Sequence, residues 1–221
     1  MSDAILEEPA PPRPRRRPLP FLEPAAAAAA LSPLAWLGVR CLQHALGPDP
    51  IDQLLAKSGH FAIWLLLLCL ACTPLQFALG LAWPLRLRKL AGNFAFAYAS
   101  LHLLTFVVLD QGYQQGRDLP AIGSEIWNRK FIFFGIAAWL VLLPLALTST
   151  PQWQARLGQR RWKSLHRIVY LAGTLAVAHF FFRFRSATLE PLLFLGALIL
   201  LFAARVYSSG REPRERAAPG S

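Results

Sequence analysis

The sequence predicts an all-α, polytopic membrane helix bundle of about six transmembrane helices, and three observations carry that prediction. Aliphatic, aromatic and cysteine residues make up 55% of the 221 residues and charged residues 16%, against roughly 25% charged in a soluble domain. Mean hydropathy is +0.38. Segments 61–85 and 131–155 contain no Asp, Glu, Lys or Arg, and each exceeds the roughly 20 residues that cross a bilayer core. The formal net charge of +11 sits in short clusters between apolar runs, where Lys and Arg set membrane orientation, so nucleic acid is set aside as a partner.

Taken in order, residues 1–24 are rich in Pro and Arg and read as a disordered basic tail. Residues 25–207 read as one transmembrane domain and 208–221 as a disordered polar tail. The first span opens with the alanine run at 25–30, although Pro24 and Pro33 flank or interrupt it. Gly47-Pro48-Asp49-Pro50 makes a turn, and 51–57 is expected to be a short interfacial helix before a second span at 60–81. Trp83-Pro84 closes that span, and a basic loop with Arg86, Arg88 and Lys89 leads to a third at 90–109. A mixed-charge loop at 110–130 precedes the fourth span, 131–147. A second basic loop with Arg156, Arg160, Arg161 and Lys163 precedes the fifth, 165–182. The sixth is 191–207.

Six spans put the N-terminal tail, both basic loops and the C-terminal tail on one side, the cytoplasm by the positive-inside rule. Both termini are then cytoplasmic. Arg183 and Arg185 fall on the outer side against that rule.

Ionisable side chains within a membrane are costly and mark functional sites, so the five histidines are sorted by depth. His44 and His60 lie near the outer ends of apolar runs and are set aside as ligands. His102 lies deep in the third span. His166 and His179 share the fifth, thirteen residues or about 20 Å apart along a helix. The third and fifth spans run in the same direction, so His102 and His179 come to similar depth in the outer half, with His166 more than about 10 Å from both. Two imidazoles from neighbouring helices at matched depth are the arrangement that ligates haem iron axially in a bundle. The competing reading has His102 hydrogen-bonded across an interface to Ser100, Thr105 or Thr174. Arg88 precedes His102 by fourteen residues on nearly the same helix face, at about the depth of His166. There it serves either a haem propionate, which Arg binds bidentately, or only membrane orientation. Cys69 and Cys72 form a C-x-x-C inside an apolar run with no polar neighbours, and read as packing residues rather than a redox pair.

The stretch from Arg86 to Gly92, Tyr98-Ala-Ser-Leu-His102, Leu147-Thr-Ser-Thr150, Leu157-Gly158 and Trp162-Lys-Ser-Leu-His166-Arg-Ile-Val-Tyr170, with His179 following, resembles the MsrQ (YedZ) family over about residues 45–207. That family supplies the haem-bearing subunit of a bacterial methionine sulfoxide reductase system, within the ferric-reductase-like transmembrane superfamily. The resemblance implies b-type haem, one or two per chain, with His102, His166 and His179 as iron-associated residues and Arg88 where the superfamily often has a fourth His. It implies an electron-transfer, non-catalytic subunit of the bacterial inner membrane, fed by the quinone pool and partnered with a periplasmic molybdopterin-containing reductase. It also implies flavin mononucleotide, for which no phosphate-cradling glycine loop is evident. Two other classes stay open: a ferric reductase or other cytochrome b-type oxidoreductase, which would need a separate flavin and nicotinamide domain, and a transporter, which would place Asp or Glu within its spans.

Overall fold

The computed structural model describes residues 21–80, 83–183 and 189–217. The Pro/Arg-rich segment 1–20, Leu81 and Arg185 therefore lie outside the described residues. Among the described residues eight α-helices follow in order: α1 (Leu22–Leu42), α2 (Pro50–Leu79), α3 (Trp83–Leu104), α4 (Leu119–Asn128), α5 (Lys130–Leu147), α6 (Pro151–His166), α7 (Val169–Arg183) and α8 (Leu189–Ala217). α3 continues without a break into a π-helical segment, Thr105–Gln114. Among the described residues six helical stretches are long and apolar enough to cross a bilayer, with α6 and α7 forming one of them. The protein is a multi-pass membrane helix bundle.

Several boundaries differ from the sequence expectation, for local reasons. The predicted interfacial helix at 51–57 is the first two turns of α2 itself. The Asp49 carboxylate caps α2 by accepting the Asp52 N–H at 3.0 Å, and the Ser58 hydroxyl is absorbed by the carbonyls of Leu54 and Leu55. Gly80, at φ +61°, closes α2, so Trp83-Pro84 opens α3 rather than ending α2. Arg86, Arg88 and Lys89 accordingly lie on the first turns of α3, not in a loop. The expected outer loop holds α4, capped by the Asp118 carboxylate on the Ala121 N–H at 2.9 Å. The second basic loop is helical instead, α6, broken by a kink at Gly158 (φ +73°), and His166 is its last residue, at the junction with α7 inside the apolar stretch Pro151–Arg183. α8 stays helical to Ala217, beyond the expected end of the sixth span and through most of the expected polar tail.

The core runs along α2, where Ile63, Leu66, Leu67 and Leu70 meet Ala95 of α3, Leu142 and Leu145 of α5, Ala172 and Val177 of α7, and Phe194 and Leu198 of α8. Small residues allow the close approaches that membrane helices rely on: a Cβ on Gly173 would stand 2.8 Å from Leu70 Cδ1. Trp64, Leu140, Leu193 and Leu200 remain exposed, as side chains facing lipid should. α1 is tied in by the Tyr98 hydroxyl, which donates to the Ala30 carbonyl at 2.8 Å. Near Pro144 of α5, the Thr148 and Ser149 hydroxyls satisfy the carbonyls of Pro144 and Leu145, both at 2.6 Å.

The contacts define two ends. At one, the start of α2 meets the end of α7 and the start of α8, through His60 with Glu190 and Arg183 with Asp52. At the other, Arg88 reaches Thr73 near the end of α2, and the Trp162 indole N–H donates to the Thr148 carbonyl at 2.9 Å. The first is called the α4 end below, the second the α6 end.

Candidate functional site

His102, near the end of α3, and His179, near the end of α7, meet toward the α4 end. Their ring centroids are 6.0 Å apart and their planes make an angle of 79°. Each is held from a different helix: His102 Nδ1 donates to the Leu55 carbonyl of α2 at 2.9 Å, and His179 Nδ1 to the Phe131 carbonyl of α5 at 2.6 Å. Those bonds fix the tautomer and leave Nε2, on the far side of each ring, as the nitrogen available to a metal. The cross-interface bond to a Ser or Thr expected on the competing reading does not form. Ser100 instead accepts the Trp139 indole N–H at 2.9 Å, and Thr174 bonds the Tyr170 carbonyl of its own helix.

Both imidazoles line a cavity of about 290 Å³. Its inner wall is apolar, formed by residues such as Ala95, Ala99 and Leu142, and its polar lining lies toward the α4 end with Asp110, Gln111, Glu125, Arg129 and Arg183. The widened π-helical turns, marked by the Gln115 N–H bonding the Asp110 carbonyl at 3.0 Å, carry Gln111 into this wall. Such segments recur at functional sites. The Gln111 Oε1 is buried without a hydrogen-bond partner. Outside the spans, the Arg117 guanidinium donates to Glu125 at 2.7 Å and Arg129 pairs with the same carboxylate. The Arg117 hydrogen bond chiefly holds the Glu125 carboxyl below its ordinary value, against a smaller opposing effect of burial.

Two glycines that the sequence pattern does not mark complete the site. A Cβ on Gly59 of α2 would stand 2.9 Å from His102 Nδ1, and one on Gly135 of α5 would stand 2.8 Å from His179 Nδ1. Glycine is what lets each backbone close on its imidazole. His60, set aside on the sequence, also lines the cavity. Its Nδ1 and Nε2 engage the Ala56 carbonyl and Glu190, both at 2.9 Å, and its ring meets Phe180 edge-on. Its position one residue after Gly59 is the only signal of this in the sequence.

His166 and Arg88 stand apart from this pair, at the α6 end. His166 stacks on Trp162, with centroids 4.1 Å apart, and its Nδ1 donates to the Trp162 carbonyl at 3.1 Å. Its Nε2 is buried without a partner. Arg88 reaches Thr73 Oγ1 at 3.4 Å and lies beside the Cys69 thiol. Cys69 and Cys72 are buried free thiols. The chain's other four histidines belong to the α4 half, so no second imidazole accompanies His166 among the described residues.

A family profile described as ferric reductase like transmembrane component matches residues 58–177. A Rhodospirillum rubrum protein named as the protein-methionine-sulfoxide reductase heme-binding subunit MsrQ is 42% identical over 191 residues, covering 86% of this chain and 90% of that one. Proteins of the same name from Xanthomonas euvesicatoria and Caulobacter vibrioides are 41% and 37% identical, covering 87% and 86% of this chain and 90% and 89% of theirs. The chain belongs to the MsrQ family.

The donor set is informative about what a member of the MsrQ family could hold here. Among the described residues no three His, Cys, Asp or Glu side chains converge as a metal cage. Two imidazoles alone suit a metal whose other positions are already filled by a macrocycle. The two rings stand 6.0 Å apart between centroids, and the cavity that both line has an inner wall of apolar residues suited to a flat hydrophobic ring. At the α6 end the His166 Nε2 is buried without a hydrogen-bond partner.

Proposed function

We propose that the chain is the b-type haem subunit that carries electrons from the respiratory quinone pool, across a bacterial inner membrane, to a periplasmic molybdopterin-containing methionine sulfoxide reductase. The matched His102–His179 pair, with both Nδ1 atoms engaged by carbonyls, is the observation that carries this reading. It is supported by the name that the relatives share.

When bound, haem supplies reversible one-electron chemistry between ferric and ferrous iron. The chain's residues bind and tune it. His102 and His179 would hold the iron, each with its Nδ1 already engaged by a carbonyl. The carbonyls of Leu55 and Phe131 raise the basicity of these ligands and fix their ring planes. Gly59 and Gly135 permit those bonds by leaving no side chain against either ring. Ala95, Ala99 and Leu142 keep water from the inner wall. His166 is the candidate ligand of a second haem, with Arg88 as a partner for one of its carboxylates. Flavin mononucleotide is assigned to no residue.

A cytoplasmic α6 end is supported by Arg86, Arg88, Lys89 and the basic residues of α6 through the positive-inside rule. His102 and His179 then lie nearer the periplasm, and the partner collects electrons at the α4 end. Methionine sulfoxide is reversibly reducible, so oxidised proteins outside the cytoplasm need such a source of reductant. The test combines the purified chain in detergent with a periplasmic reductase of this class. Dithionite is expected to produce a low-spin b-type difference spectrum, and adding the partner with methionine sulfoxide is expected to reoxidise it. A colourless protein, or a reduced spectrum indifferent to partner and substrate, would overturn the proposal.

A further inference from the structure

An open groove separates α1 from part of α2, lined by Ser32, Pro33 and Trp36 of the first helix and by Lys57 and Phe61 of the second. The α1 flank of this region faces outward, with Leu31, Leu34, Trp36 and Val39 exposed. Two cations edge it. Lys57 forms part of the wall, and the Arg40 guanidinium, one turn beyond Trp36, stands 5.8 Å from the indole centroid. Among the described residues no carboxylate pairs with either cation. The acids at the start of α2 are committed elsewhere, Asp49 to the helix cap and Asp52 to Arg183. Trp36 lies about 9 Å before the end of α1 and Lys57 about 10 Å after the start of α2, so the two share one level. α2 is about 45 Å long and exceeds a bilayer core of about 30 Å, which puts that level near the headgroups, where Trp is at home.

We propose that the α1–α2 groove binds a phospholipid of net negative charge, its phosphate met by Lys57 and Arg40 and an acyl chain lying against Pro33, Trp36 and Phe61. The two parts of such a lipid match the two parts of the groove. Arg meets a phosphate in bidentate geometry and Lys meets it as a point charge, and basic pockets between membrane helices attract anionic headgroups. A zwitterionic lipid brings its own ammonium, which both residues repel, so net charge decides the preference. Charge also disfavours a second copy of the chain here. A two-fold interface would set this cationic patch against itself.

The experiment pairs side-chain changes with a change of headgroup. Full-length wild type, K57Q, K57R, R40Q/K57Q and K130Q are delipidated in neutral detergent and titrated with dioleoyl phosphatidylglycerol or dioleoyl phosphatidylcholine, bound lipid being counted by native mass spectrometry. Lys130, exposed at the start of α5 and outside the groove, serves as the control for surface charge in general. Wild type is expected to take up phosphatidylglycerol in preference to phosphatidylcholine. One basic residue near an anionic headgroup is worth about fivefold in affinity. K57Q is expected to lose about that factor for phosphatidylglycerol and the double variant roughly its square, while K57R and K130Q stay near wild type and phosphatidylcholine binding changes little throughout. Equal affinity of wild type for the two lipids, or equal losses in K57Q and K130Q, overturns the proposal. So does a lipid-free wild-type dimer that K57Q separates, which assigns the groove to a second copy.

Discussion

Replacing Gly135 with alanine isolates the fit around His179. The new Cβ would lie 2.8 Å from Nδ1, 3.0 Å from Cε1 and 3.2 Å from Cγ of the imidazole, where ordinary contact begins at 3.4 Å, a shortfall of about 0.6 Å at the closest atom. The ring cannot simply swing away, because its Nδ1 is held by the Phe131 carbonyl one helical turn before Gly135. Either that bond is lost, leaving a buried carbonyl unpaired at about 1–3 kcal/mol, or the strain is spread through α5 and α7 at about the same cost. A loss of about 2 kcal/mol corresponds to roughly 30-fold in haem affinity, within the roughly 10–100-fold range for lost outer-shell support of a metal ligand. Helix propensity works the other way, since Gly to Ala inside a helix stabilises it by about 1 kcal/mol. The expected signature is therefore weaker haem binding without a matching loss in the thermal stability of the haem-free protein. Haemin titration of the haem-free variant, followed at the Soret band, measures this. Gly196 on α8 has open space where a Cβ would stand, with no neighbour within 4 Å, so G196A is the control and should bind as wild type does. If G135A bound haemin with wild-type affinity and an unaltered low-spin spectrum, the inferred closeness of α5 to the ligand ring would be wrong.

The nearly perpendicular imidazole planes lead to a strongly anisotropic low-spin electron paramagnetic resonance signal in the oxidised protein; a rhombic signal typical of parallel rings would contradict the ring geometry. His166→Ala should leave the signal of the His102–His179 site intact and remove any second haem equivalent, which pyridine haemochrome quantitation per chain resolves. Tyr98→Phe removes the bond to the Ala30 carbonyl and should cost about 1–2 kcal/mol, seen as easier proteolysis of α1 without a change in the haem spectrum. Because the folded-state pKa of Glu125 is lowered, its contribution to the α4 contacts is fully present above the ordinary carboxylate value of 4.5 and is lost as pH falls through the lowered one. Trp127 fluorescence should report that acid transition, and E125Q should abolish it.

The bundle and the meeting of His102 with His179 are legible in the sequence because both follow from counting. Charge-free runs longer than a bilayer give spans, alternating spans give directions, and directions give depths, which suffice to pair His102 with His179. Counting says nothing about Gly59 or Gly135: a glycine in a membrane helix looks the same whether it faces lipid or an imidazole. His60 escapes for a related reason, since the polar run from Lys57 to His60 resembles a span boundary, whereas α2 passes straight through it. α4 leaves clearer traces, an Asp118 cap followed by Pro120 and apolar residues at Leu119, Ile122 and Ile126, but the surrounding glycines and charges read as loop. α6 is hidden by its basic composition, despite Thr150-Pro151 at its start.

That His102 and His179 are the axial ligands of one haem is the central claim, and exchange of a ligand tests it most directly. His179→Gly protein, purified with and without added imidazole, is followed by reduced-minus-oxidised spectroscopy. The expected result is loss of the low-spin b-type spectrum, its recovery when free imidazole occupies the vacated position, and the same behaviour for His102→Gly. A low-spin spectrum that survives both substitutions unchanged, without imidazole, would contradict the claim.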